Sequence, residues 1–319
     1  MYKRQGVFGD GGERLAEVAR AVDTACREVG FLVVTGHGVD RGVIDGAWQV
    51  AREFFDLPLE EKLKTPAPSP EHAYGYSSLA AETLARSLGD ETLPDLKESL
   101  AIGPQKLPAV IPDEARGLLT ETDWPESPSE LRPAWEVYYD AMADLAAQLL
   151  RIMATGLELE ADYFDPMIAY HSSAMRAINY PHLDSRPPPG QLRAGAHTDY
   201  GTLSILTYDD APGGLQIKLG NHWVAIPQVP GGFVVNLGDM MARWTNDRWV
   251  STMHRVGIPE PDAKGSTRRQ SIVFFHNASW DAEVRCIPTC LSEGEKPKYP
   301  PVLAGPHLLS KFTSTVGEY

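Results

Sequence analysis

At 319 residues, with 43% hydrophobic and 23% charged residues, the chain has the length and balance of a globular protein with a sizeable core. A net charge of −14, from 29 Lys+Arg against 43 Asp+Glu, argues against a nucleic-acid partner or an anionic membrane surface. No run approaches the roughly 18 apolar residues of a membrane helix and no signal peptide opens the chain; three scattered cysteines argue against a disulfide framework, so the expectation is a cytoplasmic protein with free thiols.

The first five residues, MYKRQ, match no periodic pattern and are set aside as an extraneous leader. Leu15, Val18, Ala21, Val22, Ala25 and Cys26 then recur at helical spacing, and Gly30 stops that helix. "FLVVTGHGV" reads as a buried strand ending in a glycine turn, and a second amphipathic helix covers about 43–55. Residues 64–127 are rich in Pro, Ser and Gly and read as long loops with short elements. A long helix is predicted over about 129–157, its stripe of Trp135, Tyr138, Met142, Leu145, Leu149 and Met153 being core.

After Met167 the texture changes. The runs "AMRAINYP", "GTLSILTY", "LQIKL", "HWVAIP", "GGFVVNLG", "HRVGIP" and "RRQSIVFFHN" are short, β-rich and separated by turn residues, which argues for a sandwich or barrel. A last helix is expected near 305–314. The expected architecture is one α+β domain over residues 6–319 built on a jelly roll. Its parts would be a mainly helical flank (6–165), a jelly-roll core (166–290) and a C-terminal segment (291–319).

Seven of the nine histidines read as surface or hydrogen-bonded residues. His197 differs, because "GAHTDYGTLSIL" places Asp199 two residues later, on the same face if the segment is a strand. His254 stands in the extended run "WVSTMHRVGIP" after the turn "TNDR". Two imidazoles and one carboxylate can take one face of a metal and leave the others open, as in non-haem Fe(II) oxygenases; a satisfied polar pair is the plainer alternative. In "RRQSIVFF", alternation puts Arg269, Ser271, Val273 and Phe275 on one face, an anion-binding pair followed by apolar walls. An edge strand with an exposed arginine is the competing reading. Tyr180 in "AINYP" would add a phenolic donor. Leu203 and Ile205, of the same parity as His197 and Asp199, are expected pocket walls, and Phe275 a wall or a core residue.

From about Leu15 onward the chain resembles the isopenicillin N synthase-like branch of the iron(II)/2-oxoglutarate-dependent oxygenases. The resemblance rests on "HTD" at 197–199, "HRV" at 254–256 and "RQS" at 269–271, with support from "GFLVVTGHGV", "GLQI", "VVNLGDMMARWTNDRW" and "KYPPVLAG". It implies a double-stranded β-helix (jelly-roll) core flanked by N-terminal helices, a long central helix and a C-terminal helix. It implies Fe(II) held by His197, Asp199 and His254, and 2-oxoglutarate held at its distal carboxylate by Arg269 and Ser271 with Tyr180 assisting. Asn179 falls in the family's Asn/Tyr-rich strand, though offset from the common pattern. Gly238 and Asp239 match a recurrent turn, Asp239 being a candidate helix cap. The family's usual Ile-Pro-x-Ile-Asp strand has no match here.

The implied reaction is oxidation, by default hydroxylation, of a small molecule, with 2-oxoglutarate and O2 converted to succinate and CO2. An iron oxidase needing no 2-oxoglutarate and a non-catalytic jelly-roll binding protein stay open as alternatives. Residues 72–105 and the C-terminal segment are expected at the pocket mouth, with Lys97, Glu98 and Arg176 read as solvated charges. No membrane or nucleic-acid partner is expected, and the sequence carries no signal of oligomeric state.

Overall fold

A computed structural model describes residues 2–3, 11–69, 72–89 and 92–315. Its first half holds β1 (Tyr2–Lys3), α1 (Gly11–Glu28), β2 (Phe31–Thr35), α2 (Arg41–Asp56), α3 (Leu59–Lys62), β3 (Gly75–Ser77), β4 (Glu98–Ile102) and α4 (Leu131–Gly156). Then come β5 (Ala174–Tyr180), β6 (Ala194–His197), β7 (Leu203–Tyr208), β8 (Leu215–Leu219), β9 (His222–Ala225) and β10 (Phe233–Leu237). The chain continues through α5 (Asp239–Trp244), β11 (His254–Val256), β12 (Arg269–His276), β13 (Glu283–Val284), β14 (Val302–Leu303) and α6 (Ala304–Thr315).

The strands form an eight-stranded sheet, β1-β2-β10-β7-β12-β5-β4-β3, a four-stranded sheet, β6-β11-β8-β9, and the pair β13-β14. Apart from β1 on β2, every strand pairing among the described residues is antiparallel. Phe31, Leu206, Tyr208, Val234 and Val273 of the large sheet pack against Leu215 and Ile217 of the small one. The expected α+β jelly roll is therefore present, with the two sheets closing on a shared interior.

Alternation sorts each large-sheet strand between two environments. Ile272 and Phe274 of β12, Leu203 and Ile205 of β7 and Val235 and Leu237 of β10 face outward into the main core with α4. The residues between them face the interior between the sheets. Trp135, Tyr138, Met142, Leu145 and Leu149 of α4 are all buried there, as their stripe predicts, and the Trp135 indole donates to the Ala47 carbonyl of α2 at 3.1 Å. Asp40 caps α2 by accepting from Gly42 N at 2.7 Å. Gly30 ends α1 with φ +68°, and a Cβ there would lie 2.2 Å from the Val250 carbonyl.

The large sheet also takes in β2, the strand read at "FLVVTGHGV", and β3 and β4, two short elements of the region 64–127. Three further points differ from expectation. β4, "ESLAI", shows no alternation because all five residues are buried, Glu98 among them. That carboxylate accepts from Lys62 Nζ at 2.8 Å, Asn179 Nδ2 at 2.8 Å and the Tyr76 hydroxyl, so it is an internal anchor and not a solvated charge. Of the leader set aside, Tyr2–Lys3 pair with Val34–Thr35 at the sheet edge, while residues 1, 4 and 5 lie outside the described residues. Asp239 is not a cap: Gly238 takes that position without a side-chain bond, and Asp239 begins the helix and accepts from Lys311 Nζ at 3.1 Å.

No helix among the described residues is long and apolar enough to cross a membrane, and the three cysteines are free. Because α4 backs the large sheet, Leu145→Ala should lower unfolding stability by about 2–5 kcal/mol, the usual cost of a Leu-sized cavity. Denaturant unfolding reads this as a lowered midpoint with an unchanged slope; a midpoint within error of wild type would show that α4 does not carry the core.

Candidate active site

His197 ends β6 and His254 begins β11, and the two residues stand directly opposite each other in the antiparallel register. Their ring centroids are 4.3 Å apart. Each Nδ1 faces a backbone carbonyl, Gly195 O at 2.8 Å and Thr252 O at 3.2 Å. A carbonyl only accepts, so both Nδ1 atoms carry the proton and both Nε2 lone pairs are free.

Asp199 does not share a strand with His197, because β6 stops at residue 197. Its carboxylate is delivered by the turn that follows, which the backbone pins from three sides. Asp239 N donates to Asp199 O at 2.8 Å, Thr202 N to His276 O at 2.9 Å, and Gly238 N to Thr202 O at 3.0 Å. The turn packs so closely that a Cβ on Gly201 would lie 2.2 Å from Asn277 Oδ1, and one on Gly238 would lie 2.3 Å from the Gly201 carbonyl. Asp199 Oδ1 comes to 3.9 Å from His197 Nε2 and 3.7 Å from His254 Nε2. Its other oxygen, Oδ2, accepts from Ser204 Oγ at 2.6 Å and Asn236 Nδ2 at 2.7 Å.

One ligand atom from each of the three residues lies within 4.8 Å of the others. Burial, with His254 beside it, holds the His197 imidazole well below its usual value. Burial alone would raise the Asp199 carboxyl, but His254, His197 and the bonds from Asn236 and Ser204 hold it lower than usual. The result is two imidazole nitrogens and one carboxylate, with no thiolate, facing one point. That donor set fits a divalent iron with open positions.

Arg269 is 1% exposed, yet its Nε and Nη2 have no hydrogen-bond partner. Its guanidinium lies between two rings, 5.3 Å from the Tyr180 centroid and 4.8 Å from that of Tyr208. Nearby Arg193, wholly buried, is used differently: it donates to the carbonyls of Pro212 (2.6 Å), Gly213 (3.2 Å) and Thr267. Two bare N–H groups on a buried cation call for an anion, since leaving them unmade costs more than a typical hydrogen bond gains. Ser271, 2% exposed, sits two residues further along the same face of β12.

His197, Asp199, His254, Tyr180, Arg269, Ser271 and Phe275 all line one cavity between the sheets. Its empty volume is about 1330 Å³, open space at the mouth included. Leu203 and Ile205 do not line it; they face α4 in the main core, and Leu206 lines it instead. The irregular turn 198–202 resets the alternation, so parity counted from Asp199 points the wrong way. Asn179 is also absent from the lining: its side chain bonds Glu98 and accepts from Arg268 Nε at 2.9 Å on the other face of β5.

The sequence reading missed Ser204, Asn236 and Tyr208, which have no local signature. It also placed Lys97 and Arg176 on the surface. Lys97 is buried between Asp95 (3.0 Å) and Glu82 (3.1 Å), and both it and Arg176 line the cavity. Arg176 shares the parity of Tyr180 along β5, and that signal was available. Burial would raise the Glu82 carboxyl, but Arg176 and Lys97 hold it down at about 2.

Residues 6–127 match the model described as "non-haem dioxygenase in morphine synthesis N-terminal", and residues 171–278 match that of the 2OG-Fe(II) oxygenase superfamily. The chain is 34% identical over 303 residues to "2-oxoglutarate-Fe(II) type oxidoreductase hxnY" of Emericella nidulans, covering 92% of this chain and 84% of that one. It is 32% identical over 311 residues to a homoarginine-6-hydroxylase of Arabidopsis thaliana, with 93% and 89% covered. Its fold superposes on that of a full-length Neurospora crassa protein solved in complex with alpha-KG and thymine, with TM-score 0.85, 27% identity, and 98% and 95% covered.

Asn236→Ala should weaken divalent-metal affinity about 10–100-fold, the usual effect of losing an outer partner of a ligand; anaerobic titration with Fe(II) or Mn(II) measures it, and wild-type affinity would refute the orienting role. The depressed Glu82 contributes stability that is present above its ordinary value of 4.5 and lost as pH falls toward about 2. Thermal unfolding across pH should therefore show Glu82→Gln less stable than wild type at pH 7, with the gap closing in acid; a pH-independent gap would contradict the ionic role.

Proposed function

This chain belongs to the 2OG-Fe(II) oxygenase superfamily and is an Fe(II)- and 2-oxoglutarate-dependent dioxygenase, and on that premise we propose that His197, Asp199 and His254 hold the iron while Arg269, Ser271 and Tyr180 hold the 2-oxoglutarate. The observation that carries the assignment is the buried Arg269 guanidinium with two bare N–H groups facing the same cavity as the three metal-competent side chains. When bound, iron and 2-oxoglutarate supply an oxidation in which O2 is consumed, succinate and CO2 are released, and a C–H bond of the substrate is hydroxylated.

The chain's own residues prepare that chemistry. Asn236 and Ser204 fix which oxygen of Asp199 faces the metal, and the carbonyls of Gly195 and Thr252 fix the imidazole tautomers. Arg269 would pair through its two free N–H groups with the distal carboxylate, the Ser271 hydroxyl donating beside it and Tyr180 and Tyr208 excluding water from the pair. Val273, Phe275, Leu206, Leu215 and Val256 make the rest of the wall apolar, so the cosubstrate's charged end is oriented in a site of low polarity.

The substrate is a small molecule, in keeping with the enclosed cavity and with the thymine bound by the Neurospora crassa neighbour. Neither the 2-oxoglutarate-independent oxidase nor the binding protein is favoured. We read residues 6–319 as one oxygenase domain, because strands from both halves share one sheet. The acidic net charge supports an enzyme without a nucleic-acid partner, and the free cysteines support a cytoplasmic one.

Succinate release should require both Fe(II) and 2-oxoglutarate and stop on chelation; turnover that continues without 2-oxoglutarate would overturn the proposal. Arg269→Gln should raise the KM for 2-oxoglutarate at least about 30-fold, the lower end of the cost of removing one partner from a buried charge pair. An unchanged KM would move the carboxylate elsewhere.

A further inference from the structure

His197 ends the least supported strand of the site. Among the described residues β6 is an edge strand, bonded to β11 on one side only, whereas β11, which carries His254, is bonded on both. The β6 pairing is also irregular. His197 stands opposite His254 and Ala194 opposite Val256, so Gly195 and Ala196 together face the single Arg255. A bulge takes its extra residue out of the ladder and turns the side chains beside it, so its geometry depends on whatever else holds it.

Here a side chain 100 positions earlier does so. Asp95 Oδ1 accepts from Gly195 N at 2.8 Å, and the carbonyl of the same Gly195 accepts from His197 Nδ1 at 2.8 Å. The fit is close: a Cβ on Gly195 would lie 3.1 Å from Ala85 N, 3.2 Å from Ala85 Cβ and 3.3 Å from Asp95 Oδ1.

The carboxylate is anchored in turn. Asp95 is buried, and its Oδ2 accepts from Leu84 N at 3.1 Å and Lys97 Nζ at 3.0 Å. Lys97 also meets Glu82 at 3.1 Å, and Glu82 accepts from Arg176 Nη1 at 3.1 and 3.0 Å. The backbone fastens the same segment, Leu96 N donating to Leu192 O at 3.0 Å. Three donors converge on Asp95, and a carboxylate can accept from all of them. An asparagine would turn its NH2 group either to the Gly195 N–H or to the Leu84 N–H and the Lys97 ammonium.

We propose that Asp95, held by Lys97, is a positioning residue for the metal ligand His197, acting through the Gly195 bulge whose carbonyl orients the ring. His254 has its strand held on both edges instead. The proposal rests on the metal-site reading of His197, Asp199 and His254. Its test is anaerobic titration of the metal-free protein with Co(II) in place of iron, followed by visible absorption, which reports ligand geometry as well as affinity.

Asp95→Asn should bind Co(II) at least about tenfold more weakly than wild type, with a shifted absorption band. Leu145→Ala, which opens a cavity in the α4 core and does not touch the site, controls for lost stability alone and should titrate as wild type. A wild-type affinity or an unshifted band in Asp95→Asn, or an equal loss in Leu145→Ala, would overturn the role of Asp95. Should Asp95→Asn fail to fold, Gly195→Ala tests the same contact from its other side. Its Cβ presses the bulge away from Asp95 and Ala85, so Co(II) should bind several-fold more weakly with a shifted band, and an unchanged titration overturns the role. Wild-type protein that binds no Co(II) overturns the metal-site reading and this role with it, whereas wild-type binding that Asp95→Asn shares overturns only the role of Asp95.

Discussion

Asn236 and Ser204 both donate to Oδ2 of Asp199, and those two hydrogen bonds turn Oδ1 toward the imidazoles of His197 and His254. The donors stand on β10 and β7 of the large sheet, while the imidazoles stand on β6 and β11 of the small one. The metal-binding face thus exists only when the sheets are correctly placed against each other. The close-packed glycines 201 and 238 serve the same constraint, because side chains there would push the turn carrying Asp199 off its supports. Folding energy and site geometry meet at this junction, as in other sites whose outer partners orient the ligands.

Buried charge follows one rule throughout the interior, and the exceptions mark function. Glu98, Lys62, Lys97 and Asp95 are buried and paired with side chains, and Arg193 gives both terminal nitrogens to backbone carbonyls, leaving only Nε bare. They fasten β4 and the segment before it to the rest of the large sheet and to β6. Arg269 is buried equally deeply but keeps two N–H groups bare in the cavity. Arg176 is intermediate, with one corner held and two donors open. A buried arginine that satisfies itself is structural, and one that does not is waiting for an anion or an acceptor.

Much of the architecture was legible from pattern. The α4 stripe, the run of short strands after Met167, and the alternation of β12 follow from single-element periodicities, which depend only on which face is apolar. β12 was read correctly because its eight residues keep one unbroken alternation. β4 was not, because a strand buried on both faces loses its alternation and resembles loop when it carries a charge. The parity of β7 was misread for a related reason: counting from Asp199 assumes a continuous strand, and a turn intervenes. Glu98 and Lys97 looked solvated because composition alone cannot show a partner that comes from elsewhere in the chain, such as Lys62 or Glu82.

What the sequence determined by itself was the chemistry on offer: which side chains can bind a metal, which can hold an anion, and the family to which their motifs belong. The tertiary structure decided how they are oriented and which charges are free. Asp199 presents Oδ1 because β7, the strand that follows it, and β10, further along the chain, both occupy Oδ2. Arg269 is available because no acceptor reaches it, whereas the equally buried Arg193 meets three carbonyls. Both facts concern partners brought together by sheet packing. Local pattern is silent on them because hydrogen-bond satisfaction is settled by contacts between elements and not within them.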